Sequence, residues 1–409
     1  MNLKWKIRID NLIGLPILFL LNFLARILGF FLQINHSFNK KPNYLIVSKF
    51  LGLGSIIQSS PMLQTLKRNY PNSKLVFITS KANILILKHY PFVDEIIVLN
   101  DKNIFTTLIS TIQILPKLLK MRNSFYFDLE IYSNFSAILN TLSFSRNRIG
   151  FYRKDSNVRM GIYTHMMYFN NRVPISEVYL QMARLSGCTE IISSLYKFEI
   201  DENDTKNAQQ KLNINDSNSI IIINPNASDL RIERRWETQN FVDLISKLKT
   251  KFPEKTYILI GSKSEKSYVD LIFNSIENKQ NLINSAGKIS LNELIAIINK
   301  ADLIITNDTG PMHISFALNK KTIAFFGPTH PNQYGNENAI CFYKNVYCSP
   351  CVHEFLTPPC KGNNICVKNI LVEEVFETCV NVIEKNIKST PKNPILYTEN
   401  STVLGFLNR

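Results

Sequence analysis

The sequence predicts an α/β protein of two domains, each built on a parallel sheet with crossover helices. Three observations carry this. Short apolar runs alternate with helical patterns in two successive sets, as parallel sheets require. The 409 residues suffice for two such domains, each with its own core. Finally, an apolar run over 301–305 ends in Thr306, Asn307 and Asp308 and turns directly into a helical pattern reaching Leu318. Such a turn puts free backbone N–H groups at the carboxyl edge of a sheet. That edge is where α/β folds bind ligands, and a helix start favours anions.

The elements follow in order. Residues 12–34 are strongly apolar, preceded by Lys4, Lys6 and Arg8 and interrupted by Arg26, with Pro16 weakening a straight helix. The uninterrupted stretch is short of the ~20 residues that comfortably span a bilayer. A span with Arg26 snorkelling, an interfacial helix and a core helix remain open. The basic flanks favour a membrane-associating segment over 1–40, placed on the inner membrane surface. A first domain follows over 41–205. Its strands are expected at 44–47, 75–78, 95–99 and 127–131, with a helix over 56–68. Near residue 200 the pattern breaks. A second domain over 206–388 has strands at 220–223, 257–260, 302–305 and 322–326. Its last helix, about 372–387, is expected to cross back toward the first domain. A Pro/Asn/Ser/Thr-rich tail occupies 389–409.

Composition narrows the partners. Forty-seven Lys and Arg against 32 Asp and Glu give +15, which suits a polyanionic partner or phosphorylated substrate. Nucleic acid is not expected, because no zinc-finger spacing, aromatic RNA-binding signature or basic recognition helix is present. Seven Cys, an odd number clustered late, do not read as a secreted disulfide scaffold.

Within the 301–318 turn, Gly310 allows close backbone approach to a phosphate, and Pro311 suits a first helical turn. Asp308 would repel a phosphate, so its carboxylate suits sugar hydroxyls instead. The run Asn307-Asp308-Thr309-Gly310-Pro311-Met312-His313, with Phe326-Gly327-Pro328-Thr329 after the next strand, resembles the signature of glycosyltransferase family 9, the bacterial heptosyltransferases. That signature reads (S/N)-D-(T/S)-G-P-x-H and F-G-x-T. Ordered matches extend the resemblance over roughly residues 43–380.

The resemblance implies the GT-B architecture, two Rossmann-like domains facing a cleft. It implies inverting transfer of heptose or a similar sugar from a nucleotide-sugar donor, expected to be ADP-linked. The acceptor would be lipopolysaccharide or a lipid-linked, phosphorylated glycan at the cytoplasmic face of the inner membrane. Donor contacts would come from Asn226 and Ser228 after the first strand of the second domain. Arg234, two residues before Trp236, would hold the diphosphate. Glu265 would hold the ribose hydroxyls, and the loop around Ile289 the base. Asp308 would hold the sugar, Thr309 and Gly310 the β-phosphate, and His313 either the phosphate or the loop. A silent sugar-nucleotide-binding protein and a GT-B nucleotide-sugar epimerase are the alternatives.

The first domain departs from the family pattern. Relatives carry G-D-x5-P after the first strand, and that Asp is taken as the general base. Here Gly54 and Pro61 keep the spacing, but Ser55 replaces the Asp. Glu130, alternating with apolar residues beside Asp128 in a short strand, is the candidate replacement. The competing readings have it capping the next helix or pairing with Arg146 or Arg148. Arg146, Arg148, Arg153, Lys154 and Arg159 form a basic stretch that would suit a phosphorylated acceptor, and Gly54 would allow the backbone close approach to it. Cys348, Cys351, Cys360 and Cys366 form C-x2-C-x8-C-x5-C, near His353. They could hold a structural zinc ion, form disulfides or simply pack. The chemistry itself requires no cofactor.

Overall fold

The computed structural model describes residues 3–384 except 153–156, 228–230, 355–357, 359 and 361. The chain forms two compact units. One comprises Met1–Asn170 and Ile175–Tyr196, the other Asn171–Pro174 and Lys197–Arg409. The N-terminal segment is thus part of the first unit.

The first unit contains strands β1 (Tyr44–Ser48), β2 (Lys74–Ser80), β3 (Glu95–Leu99), β4 (Ser124–Asp128), β5 (Asn147–Tyr152) and β6 (His165–Tyr168). They form one parallel sheet in the order β3-β2-β1-β4-β5-β6. The central strands are apolar on both faces, as a doubly covered parallel sheet demands. Helices α1 (Leu3–Ile9) and α2 (Leu15–Leu32) are joined by a π-helical turn, Asp10–Gly14. Then come α3 (Leu53–Asn69), α4 (Ile104–Lys120), α5 (Asn134–Leu142) and α6 (Ile175–Leu185). Leu118 of α4 and Leu139 of α5 share one core cluster with Ile46, Ile78 and Tyr126, so both helices cover the same face.

Strand β4 ends at Asp128, not at residue 131. Its pairing with β1, Tyr44 opposite Ser124 through Ser48 opposite Asp128, sets that limit. Glu130 therefore lies beyond the strand, and the expected alternation of Asp128 and Glu130 along it does not exist.

The second unit repeats the topology. Strands β7 (Ile220–Asn224), β8 (Thr256–Leu259), β9 (Leu282–Asn284), β10 (Leu303–Asn307), β11 (Thr322–Phe326) and β12 (Ala339–Tyr343) run parallel in the order β12-β11-β10-β7-β8-β9. Its helices are α7 (Glu202–Leu212), α8 (Thr238–Lys251), α9 (Lys266–Ser275), α10 (Leu291–Lys300), α11 (Gly310–Ala317) and α12 (Val372–Glu384). Helix α7 packs on α10, with Lys211 bonded to Glu293 at 2.7 Å. The unit consequently begins before residue 206. Helix α12 packs on α8 within this same unit, and residues 385–387 of the expected helix lie outside the described residues. The fully buried Trp236 anchors the core against Phe241 and Phe325. Burying so large a ring contributes about 2–3 kcal/mol.

In both sheets the strand order reverses at a switch point, between β1 and β4 and between β7 and β10. Ligands of doubly wound folds bind outside the strand ends at such points.

Candidate active site

At the second switch point the ends of β7 and β10 are tied together by side-chain amides. Asn224 donates to Thr306 Oγ1 at 2.8 Å and Thr309 Oγ1 at 2.6 Å. Asn307 donates to the Pro225 and Asn226 carbonyls and accepts from the Trp236 N–H at 3.1 Å. Asn226 donates to Ile260 O at 2.7 Å, while its Oδ1 is buried without a partner among the described residues. The amides fix the loops before any ligand arrives. Thr309 precedes the first turn of α11, so the N–H of Gly310 faces the same edge.

Asp308 sits on this scaffold, 1% exposed. Its Oδ2 accepts from Thr329 Oγ1 at 2.5 Å and lies 3.4 Å from Arg234 Nη1. Arg234 Nη1 also donates to the Asp308 carbonyl at 3.2 Å. Asp308 Oδ1 is buried without a hydrogen-bond partner among the described residues, with His313 Nε2 3.8 Å away. Burial pushes the His313 imidazole down to about 4, the nearby Asp308 opposing and Arg234 reinforcing the effect. His313 is therefore neutral near pH 7, and Arg234 is the cation of the group.

The other expected donor residues surround this centre. Glu265 is bound into its own turn, accepting from the Ser262 N–H at 2.8 Å in a capping box. Gly287 N–H donates to Gly261 O at 2.9 Å, so the loop carrying Ile289 is stitched to the loop after β8. Gly287 has φ +72°, and a Cβ there would meet Lys263 Cα at 3.2 Å, which explains the glycine. Arg231 donates to Val352 O at 3.2 Å. Arg235 lies over the Tyr268 ring at 4.1 Å. Ser228 lies outside the described residues.

At the first switch point Glu130 meets neither expected partner. Its Oε2 receives Lys49 Nζ at 2.9 Å, and its Oε1 receives the Phe50 and Leu51 N–H groups at 2.8 and 3.1 Å. Both side chains are buried. Asp128 accepts from Ser48, Ser136, Tyr163 and the Glu130 N–H. Burial pushes its carboxyl above the usual range. Ser55 lies in the first turn of α3, just after Gly54, and α3 packs against α6.

The basic stretch is largely committed to internal carbonyls. Arg146 Nε donates to Asn35 O at 3.1 Å, and Arg148 to Ile162 O and Ser145 O at 2.9 and 3.1 Å. Arg159, 1% exposed, donates to Ile131 O and Ser133 O, each at 2.9 Å. Arg153 and Lys154 lie outside the described residues. Cys348, Cys351, Cys360 and Cys366 are free thiols, and no metal-holding group of three or more His, Cys, Asp or Glu occurs among the described residues. Burial pushes the Cys366 thiol up to about 12, helped by the three neighbouring cysteines.

Sequence reasoning gave no role to Asn224, Asn307, Thr329 or Lys49. Thr329 had a signal, because it closes the F-G-x-T segment. Lys49 had none.

The family model of glycosyltransferase family 9 (heptosyltransferase) matches residues 132–359, more than half of the chain. The chain belongs to glycosyltransferase family 9. It is thus a glycosyltransferase of the heptosyltransferase family. It is 29% identical over 300 residues to lipopolysaccharide heptosyltransferase 1 of Campylobacter coli, covering 70% of this chain and 84% of the relative. It is 26% identical over 342 residues to lipooligosaccharide heptosyltransferase 2 of Campylobacter jejuni subsp. jejuni serotype O:2, covering 82% and 96%. Its fold is shared with the glycosyltransferase family 9 structure from Veillonella parvula, at TM-score 0.70, 19% identity, 85% of this chain and 100% of that one. It is shared also with Escherichia coli ADP-heptose lipopolysaccharide heptosyltransferase II, at TM-score 0.67 and 17% identity, covering 84% and 100%. The family 9 chain has the expected GT-B class of fold.

Proposed function

We propose that this family 9 enzyme transfers heptose, or a closely similar sugar, from an ADP-linked donor to a lipopolysaccharide or lipooligosaccharide core acceptor. The proposed locale is the cytoplasmic face of the inner membrane. The observation that carries the reading is the Asp308–Arg234–Thr329 group at the β7/β10 switch point. Arg234 is a fixed cation beside a helix start, the combination a leaving diphosphate needs. The unpartnered Asp308 Oδ1 carries a cost that a donor-sugar hydroxyl would relieve.

In this reading an acceptor hydroxyl attacks the anomeric carbon from the face opposite the nucleotide. The bond from that carbon to the phosphate oxygen breaks, and ADP leaves with the electron pair. Arg234 and the Gly310 amide stabilise the charge that grows on the diphosphate. Neutral His313 supports the Asp308 loop. The proton of the acceptor hydroxyl leaves to a base. Glu130 is the carboxylate expected to replace the motif Asp at Ser55, but three donors already hold it. We assign it to fixing the loop Lys49–Leu51 on the acceptor side.

The test is turnover of the purified full chain with ADP-heptose and a heptose-deficient core acceptor. ADP release should depend on acceptor, and the new linkage should have the anomeric configuration opposite to the donor. Transfer only from a sugar on another nucleotide, or retained configuration, would overturn the reading.

A further inference from the structure

The N-terminal helix and α4 both present apolar residues to solvent in the first unit. Residues Trp5–Leu32 run as one helix through the π-helical turn, and its most apolar 18 residues, of mean hydropathy 2.1, are almost all exposed. Its attachment runs along a single stripe at four-residue spacing: Asp10, Gly14, Leu18, Asn22 and Arg26. Asp10 accepts from the Asn134 and Phe135 N–H groups, each at 2.7 Å, capping α5. Gly14 lies so close to Asn134 that a Cβ would meet it at 2.9 Å. Leu18 is fully buried with Ala137, Val158 and Ile162. Asn22 donates to Val158 O at 2.6 Å, and Arg26 Nε to Asn22 Oδ1 at 2.7 Å. From Asp10 to Arg26 this seam is ~24 Å long at ~1.5 Å per residue. A helix held against protein over that length does not have lipid all round it. Its remaining face exposes Phe19, Phe23 and Phe30.

Helix α4 lies on the same sheet face as α5, on which the N-terminal helix rests. Lys6 of α1 bonds to Asp101 at 2.7 Å, three residues before α4 begins. The outer side of α4 exposes Phe105, Leu108 and Ile112 in a stripe of helical spacing. Residues 102–122 contain no Asp or Glu, while Lys102, Lys120 and Arg122 are exposed. Residues 3–36 contain one acid, Asp10, which is turned inward.

We propose that the outer faces of α2 and α4 together form a monotopic docking surface for a bilayer carrying anionic phospholipid. The apolar stripes enter the acyl boundary, and the basic flanks meet the headgroups. The N-terminal helix therefore lies in the interface, and α4 is a second inserted element. This goes beyond the sugar-transfer reading and does not depend on it.

The test uses the full chain with vesicles of phosphatidylcholine and phosphatidylglycerol. Its two tryptophans are Trp5 and Trp236, the latter buried in the second unit. In a Trp5→Phe background, Phe105→Trp should give an indole quenched by lipids brominated along the acyl chain. Leu108→Asp/Ile112→Asp should lower the vesicle-bound fraction about tenfold, with thermal unfolding unchanged. An indole at position 105 quenched by aqueous iodide but not by brominated chains would overturn the role of α4. So would unchanged vesicle binding with a dimer dissociating in sedimentation, since a second copy would then be the occupant.

Discussion

The two switch points of this enzyme have the same topology but differ in how fully their carboxylates are hydrogen-bonded. Each has a buried carboxylate beside a cation. At β1/β4, Glu130 is paired with Lys49 at 2.9 Å and also holds two backbone N–H groups. At β7/β10, Asp308 has a looser partner, Arg234 at 3.4 Å, and one oxygen without a hydrogen bond among the described residues. The first carboxylate is satisfied by its own protein and fixes a loop. The second is left with capacity for a ligand. The comparison teaches that burial and a counter-charge do not separate a structural carboxylate from a binding one. The count of unanswered hydrogen-bonding atoms does.

Removing a carboxylate should therefore have different consequences at the two places. Glu130→Ala leaves a buried ammonium unpaired and should lower unfolding free energy by about 3–5 kcal/mol. Chemical denaturation would measure it. Lys49→Met in the same chain should recover most of that loss, because removing both charges also removes the desolvation penalty. Failure of the second substitution to recover stability would show that Glu130 matters for more than its pair. If Glu130→Gln keeps stability and donor affinity but loses transfer, Glu130 is the base after all.

The second comparison is of pH response. His313 falls to about 4 in the folded protein, against about 6.5 when unfolded. The unfolded chain then binds more protons between these values. His313 thus contributes stability that is complete above pH ~6.5 and lost as pH falls toward ~4. The full span is about 3 kcal/mol at ~1.36 kcal/mol per unit. His313→Gln should flatten this part of the stability–pH curve. An unaltered slope in His313→Gln would place the imidazole in contact with water.

A smaller effect tests the N-terminal seam. Asp10→Ala removes the acceptor for two N–H groups at the start of α5 and should cost about 1–2 kcal/mol. Measured as a shift in the urea midpoint, no change would mean that the helix is only loosely held.

How much of this was legible in the sequence differs between the units. In the second unit one contiguous run carries the motif, and the resemblance pointed to its distant companion Arg234, although its long-range amide ties were not legible. Asn307 to His313 is one strand end and one helix start, and Thr322–Phe326 was placed to the residue. The first unit was not readable in this way, because its pairs are long-range. Lys49 meets Glu130 only through the β1/β4 register, and a strand placed three residues late hid it. The density of arginines over 146–159 was visible, but their directions were not. Arg146, Arg148 and Arg159 point at carbonyls that no local pattern announces. The N-terminal stripe at 10, 14, 18, 22 and 26 was present in the sequence but masked by the surrounding apolar residues.

The most direct test of the central claim is turnover and donor affinity of Asp308→Ala and Arg234→Ala beside Arg231→Ala. The account predicts that the first two each lose about 10²–10³-fold in transfer rate, as expected when a preorganised charge is removed. Arg231→Ala, whose guanidinium is bound to Val352 O, should change transfer by less than about threefold on the scale of a surface substitution. Wild-type transfer and donor affinity in Asp308→Ala would contradict the assignment of the β7/β10 switch point as the donor site.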